Sequence, residues 1–240
     1  MGGVWALFRG LFGAFNAGRA AFTVLVVLFF SVVVASDSLA AGTATSPTAF
    51  DGKIASIKAV HLSRAAPPKK LNAVIARHTA QVAAGGGELR GVSKPGVVAA
   101  DWQKLITRLK GLSRRERVLE VERYFATFRY VTDRKGWRKN DYWASPLEFI
   151  ARRQGDCEDY AIARYLALRA AGFDDKDLNL IGVTDRRSRQ FHMVLAVNVD
   201  GEILVLDNQS KRPAATLDLK RYEPAYAINQ NNRWLTKRTG

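Results

Sequence analysis

At Gly172 the spacing of apolar residues changes from a repeat of about 3.6 to a repeat of about 2, dividing the chain into a helical part and a strand part. Residues 71–84 (LNAVIARHTAQVAA) read as a helix stopped by Gly85, Gly86 and Gly87. Trp102, Leu105, Ile106 and Leu109 line one side of a second helix within 95–110. Ser113 and Glu116 make a capping box ahead of Val118, Val121, Phe125 and Phe128, which predicts a helix over 114–128. Ser145-Pro146-Leu147-Glu148 is a second capping box with proline at the first helical position, opening a short helix that ends near Gln154-Gly155. Asp156 then serves as N-cap of a further helix, with Asp159 three residues on, the apolar face Ala161, Tyr165 and Leu168 behind, and Gly172 as its stop. Residues 178–183, 190–198 and 202–206 read as strands. Helices first and antiparallel strands afterwards predict an α+β fold with the helices packed on the sheet.

The last two strands are joined by Asp200-Gly201, a two-residue hairpin signal that sets their register. Val199 then faces Glu202, and the numbers of every opposed pair sum to 401, so Val194 lies opposite Asp207 and His192 opposite Gln209. His192 and Asp207 share one face as diagonal neighbours, about 7 to 8 Å apart at Cα, within reach of an imidazole–carboxylate hydrogen bond. A slip of one residue would place them on opposite faces.

Cys157 is the only cysteine, and it falls in the first turn of the helix that Asp156 caps, with Asp156, Glu158 and Asp159 around it. Carboxylates disfavour the thiolate, whereas a helix N-terminus and a neighbouring imidazolium favour it. With His192 as base and Asp207 as its orienting carboxylate, Cys157 completes a Cys-His-Asp set suited to acyl transfer. The backbone N–H of Cys157 is one candidate oxyanion donor and Trp143 a second. The alternatives are a small buried cysteine, a satisfied core histidine and an aspartate that merely ends a strand. Asp156 and Glu158, with more oxygen from the Asn140-Asp141 loop, suit Ca²⁺, whose charge would offset the acids beside the thiol. The alternative is that these acids only cap a helix and complement its dipole. Residues 131–144 read as an ordered loop, since Trp137, Tyr142 and Trp143 are costly to leave in water. His61 and His78 are expected in a tail and on a helix face, both solvated.

Arg9 and Arg19 precede the apolar run 20–34, and Ser38-Leu39-Ala40 offers small residues for cleavage, so residues 1–40 read as an export signal cut after Ala40. The alternative is an uncleaved membrane anchor. Residues 41–70, rich in Ala, Thr, Ser and Pro, read as a flexible leader, and 71–240 as a single domain. The chain carries 37 Lys and Arg against 22 Asp and Glu, a net +15; without Arg9, Arg19 and Asp37 it is +14. Export and the lack of any interleaved aromatic and basic motif argue against nucleic acid as the partner of this charge. After removal of the signal no segment is expected to stay inserted in a membrane. One cysteine cannot close an intramolecular disulfide.

DYWASPLEFI, QGDCEDYAIARYLALRAAGF, FHMVLAV and LVLDN, in that order and spacing, resemble the bacterial transglutaminase-like cysteine proteinases, and within them the LapG-type periplasmic proteases. The resemblance covers roughly residues 102–234. It implies a papain-like or transglutaminase-like cysteine protease fold, with Cys157 as nucleophile, His192 as base and Asp207 as orienting carboxylate. It also implies Ca²⁺ dependence through Asp156 and Glu158. Members of this family cut the N-terminal region of large secreted adhesins at a pair of alanines, releasing cells from a biofilm, and an inner-membrane cyclic di-GMP receptor sequesters them. The expectation is therefore a periplasmic, calcium-dependent cysteine endopeptidase. Two rivals keep the same fold: a transglutaminase that passes the acyl group to an amine, and a binding module without catalysis.

Overall fold

The computed structural model describes residues 58–61 and 68–237, apart from 88, 90, 91, 211, 214 and 215. The export signal expected over 1–40 lies outside these residues. Among the described residues no helix is long and apolar enough to cross a membrane.

The path begins with a short strand, β1 (Lys58–His61), followed by three helices: α1 (Lys69–Ala83), α2 (Pro95–Lys110) and α3 (Arg114–Ala126). A two-residue strand, β2 (Arg129–Tyr130), one helical turn, α4 (Asp133–Gly136), and a short helix, α5 (Pro146–Arg152), lead to β3 (Gln154–Gly155) and α6 (Cys157–Ala170). Five strands complete the chain: β4 (Leu178–Asp185), β5 (Phe191–Val199), β6 (Glu202–Leu206), β7 (Tyr222–Ile228) and β8 (Arg233–Lys237). Both serine capping boxes form. Ser113 and Ser145 each donate their backbone N–H to the glutamate three residues on, at 2.9 and 2.7 Å, and accept that glutamate's N–H on their hydroxyls. Satisfying two otherwise orphaned donors at each start is what fixes where α3 and α5 begin.

The large sheet has the order β1-β8-β7-β4-β5-β6, and each neighbouring pair is antiparallel. Val199 faces Glu202 and Leu195 faces Leu206, the register expected from the hairpin. Asp200 and Gly201 both take positive φ, 53° and 94°, as a tight hairpin of this length requires. Strands β4, β5 and β6 are buried on both sides. Leu180, Met193, Leu195, Leu204 and Leu206 pack toward the helices, while Ile181, Val183, Val194, Ile203 and Val205 form a second cluster closed by Leu217 and Tyr222. α6 is buried from Cys157 to Leu168, which lets it lie between the sheet and the other helices. Burying side chains such as Leu168 and Tyr165 contributes about 1.5 to 3 kcal/mol each, which fixes the helix that carries the cysteine.

Three features depart from the expectations. Residues 58–61, expected within the flexible leader, form a strand paired with β8. The loop expected over 131–144 contains the helical turn α4. His78, expected in solvent, is 8 % exposed and meets Trp102 edge-on at 4.7 Å, and its burial lowers its pKa to about 4. The helix face that carries His78 is covered by α2, and a buried imidazole is held neutral.

Candidate active site

The hairpin register brings His192 and Asp207 together. His192 Nε2 lies 2.8 Å from Asp207 Oδ1, and the imidazole is 2 % exposed. Tyr222, at the start of β7, donates its hydroxyl to Asp207 Oδ2 at 2.7 Å and stacks on the imidazole with ring centroids 5.4 Å apart. The backbone N–H of Gln209 donates to Asp207 Oδ1 at 2.9 Å. Burial pushes the Asp207 carboxyl upward, but the hydrogen bonds from His192, Gln209 and Tyr222 and the attraction of His192 outweigh it, and its pKa falls below the usual value. Asp207 therefore stays ionised and fixes the ring. The remaining ring nitrogen, Nδ1, faces the side-chain amide of Gln209 at 3.4 Å.

Cys157 begins α6 and is 5 % exposed. Its thiol donates to Glu158 Oε2 at 2.8 Å, and the backbone N–H of Met193, the residue that follows His192 on β5, lies close enough to the sulfur to favour its anion. Burial raises the thiol pKa far above its ordinary value, and the charge and hydrogen bond of Glu158 and the charge of Asp156 push the same way against the Met193 N–H. As drawn by these groups alone the sulfur is a protonated thiol.

Five carboxylates surround this helix start. Oxygens of Asp133, Asp141 and Glu158 lie within 4.8 Å of one another, as do those of Asp133, Asp156 and Asp159. The three expected ligands, Asp156, Glu158 and Asp141, thus fall into two groups joined by Asp133. Asp159 is fully buried and accepts the N–H of Ala144 at 2.8 Å and that of Asp156 at 3.3 Å. Asp133 Oδ1 and Asp156 Oδ1 are buried without a partner. Burial, and then repulsion from Glu158, Asp159 and Asp133, raises Asp156 to about 9; Asp133 and Asp159 are raised as well, burial again being the first cause. Crowded, buried carboxylate oxygens with unsatisfied lone pairs fit a hard divalent cation such as Ca²⁺. Gly155 belongs to this cradle, since a Cβ there would stand 2.3 Å from Asp159 Oδ2.

A cavity of about 500 Å³ reaches Glu158, the residue after the cysteine, and is lined by Lys70, Asp141, Trp143, Phe191 and Tyr226 among others. Lys70 forms an ion pair with Asp141 and lies 4.4 Å from the centroid of the Trp143 ring. Sequence reasoning missed Asp133 and Tyr222. Asp133 begins a turn too short to leave a periodic trace, and Tyr222 sits in a strand interrupted by Pro224.

Helices packed against an antiparallel sheet, with the cysteine at the start of the helix that lies on the strand of His192, fit the transglutaminase-like cysteine proteinase class. Within that class the chain belongs to the bacterial transglutaminase-like cysteine proteinases, whose family model matches residues 106–236. Calcium-bound LapG of Legionella pneumophila is 28 % identical, covering 71 % of this chain and 90 % of that one, with a TM-score of 0.53. A second structure of that LapG matches with the same identity and coverage and a TM-score of 0.51. EGTA-treated LapG is 27 % identical over 73 % of this chain and 90 % of its own, with a TM-score of 0.52. None of the curated proteins matches this chain in sequence.

Proposed function

We propose that this chain is a periplasmic, calcium-dependent cysteine endopeptidase in which Cys157, His192 and Asp207 carry the reaction. The observation that carries the reading is the arrangement of the family's cysteine at the start of α6, beside Met193, with the neighbouring His192 already held by an ionised Asp207. Asp207 occupies Nε2 of the imidazole, so in this reading Nδ1 gives up the Gln209 amide at 3.4 Å and takes the thiol proton. The thiol proton must turn from Glu158 to that nitrogen, leaving the sulfur as the thiolate that attacks the scissile carbonyl carbon. A tetrahedral oxyanion forms, stabilised by the backbone N–H of Cys157. The imidazolium then gives its proton to the departing amine, and a thioester remains. Water, deprotonated by His192, attacks the thioester and releases the acid and the thiol. Trp143, at the wall of the adjoining cavity, is the second oxyanion donor in this reading.

Asp133, Asp141, Asp156 and Glu158 hold the calcium ion, whose positive charge offsets the carboxylates around the thiol. LapG in calcium-bound and EGTA-treated forms supports calcium as the ion. The substrate is the N-terminal region of a large cell-surface adhesin, cut at a pair of alanines. An inner-membrane cyclic di-GMP receptor is the sequestering regulator. Both rest on the likeness of QGDCEDYA, FHMVLAV and LVLDN to the LapG-type proteases.

The test is cleavage of a purified adhesin N-terminal fragment, followed by product mass. Wild type should give two fragments divided between alanines, Cys157→Ser none, and Asp207→Asn a rate lower by about 10²- to 10⁴-fold. A product that carries an added primary amine in place of water would make the enzyme an acyl transferase. Undiminished cleavage by Cys157→Ser would overturn the assignment.

A further inference from the structure

Lys70 stands where a cation site needs its carboxylate free. Asp141 is the exposed member of the Asp133–Asp141–Glu158 group, yet its Oδ1 is engaged by the Lys70 ammonium. The same ammonium lies against the Trp143 ring, so Lys70 ties the first turn of α1 to the Asp141–Trp143 segment across the cavity that reaches Glu158. The other side of that segment is held separately. Arg77 pairs with Glu148 at 3.2 Å and donates to the Trp143 carbonyl, and the Tyr142 hydroxyl donates to Glu148 at 3.0 Å. None of these three bonds uses an oxygen of the acid cluster, so the segment stays seated when the cluster changes its partner.

Asp133 supplies the second observation. Its Oδ1 is buried without a partner, the residue is only 4 % exposed, and one of its carboxylate oxygens lies within 4.8 Å of an oxygen of Asp141, the residue that Lys70 holds. An ammonium and a divalent ion drawn to one carboxylate repel each other, so one must yield.

We propose that Lys70 is a built-in competitor for the cation site: it latches α1 to Asp141 while calcium is absent, and calcium displaces it. The inference rests on the calcium reading given above and adds to it a residue that sets calcium affinity without being a ligand. Binding of the ion takes Asp141, frees Lys70 and opens the mouth of the cavity between Lys70 and Trp143. Both partners of the pair are substantially exposed, 42 % and 63 %, so the tie is weak enough to be exchanged.

The test is calorimetric titration of CaCl₂ into protein freed of calcium with EGTA, for wild type, Lys70→Met and Lys70→Arg. Lys70→Met should bind calcium about two- to fivefold more tightly than wild type, the range expected for loss of one exposed ion pair, and Lys70→Arg should match wild type. Mass spectrometry after a brief pulse of acetic anhydride should show Lys70 acetylated faster with calcium than without. Wild type that binds calcium, with an unchanged constant in Lys70→Met and unchanged Lys70 acetylation, would overturn the latch and leave the calcium site standing. Wild type that takes up no calcium would overturn both.

Discussion

Arg164 and Glu122 form an ion pair that water does not reach, and its removal offers a quantitative test of how α6 is held. The side chains are 1 % and 9 % exposed, and Arg164 Nη2 donates to Glu122 Oε1 at 2.9 Å. Arg164 lies two turns along the helix that Cys157 begins, and Glu122 lies on α3. Burial pushes Glu122 upward and the charge and hydrogen bond of Arg164 pull it back, so Arg164→Met removes the main force that keeps the carboxylate ionised. The carboxyl then has to fold protonated. At pH 7 that costs about 3.7 kcal/mol, the free energy of protonating a carboxyl with an unfolded pKa of about 4.3, and at pH 5 only about 1 kcal/mol. The sign follows from linkage. In the variant the folded pKa lies above the unfolded one, so the folded state binds more protons, and stability is lost as pH rises above about 4.3. The ceiling agrees with the roughly 3 to 5 kcal/mol found when one partner of a buried pair is removed. Replacing both residues, as Glu122→Met with Arg164→Met, removes the stranded charge and should recover most of the loss. Urea unfolding of wild type and the three variants at pH 5 and pH 7 supplies the free energies. An Arg164→Met deficit that is equal at the two pH values, or a double variant as unstable as the single one, would refute the reasoning.

His78 titrates in the opposite sense. Burial holds its folded pKa at about 4, below the unfolded value, so its contribution is intact above about pH 6.5 and lost as pH falls toward 4. His78→Leu should therefore gain on the order of 3 kcal/mol relative to wild type between pH 7 and pH 4, measured by urea unfolding, and a constant difference would contradict it. Gly182 lies under the ring of Tyr226, and a Cβ there would be 2.5 Å from Tyr226 Cζ. Gly182→Ala should cost about 1 to 3 kcal/mol through overpacking, visible as a lower melting temperature, and Tyr226→Ala in the same chain should restore most of it.

The helical half of the molecule is legible in the sequence because its ends are written in side chains. The pairs Ser113–Glu116 and Ser145–Glu148 are local, and nothing distant has to be known to place them. The pairing of His192 with Asp207 is legible for a related reason: a two-residue turn at Asp200-Gly201 leaves one register, and register alone decides which side chains share a face. Other parts depend on partners far along the chain. In β7, Pro224 breaks the alternation that marks a strand, and it sits where the ladder is irregular, with Gly182 facing Tyr226 and Val183 facing Pro224, so that Ala225 is passed over. That bulge permits the proline, and only the folded sheet reveals it. His78 reads as solvated until α2 covers it with Trp102. Asp133 reads as a loop residue until its backbone N–H is found donating to Asp156 Oδ2 at 3.2 Å.

The acids around Cys157 serve folding and chemistry at once, and the two uses conflict. Asp159 closes the start of α6 by accepting the N–H groups of Ala144 and Asp156, which requires it to be buried against Gly155. Asp156 holds the N–H of Asp133 and so fixes α4 beside the same helix start. These bonds place the sulfur next to Met193, yet the carboxylates that make them, together with Glu158, oppose a negative charge on it. The Lys70 ammonium pairs with the exposed Asp141, so for the buried acids a positive charge has to come from outside the chain's own titratable groups, or else the helix start holds a protonated thiol. That requirement makes a divalent cation an economical partner for this fold: one ion satisfies the orphaned oxygens of Asp133 and Asp156 and removes the obstacle to the thiolate in a single binding step.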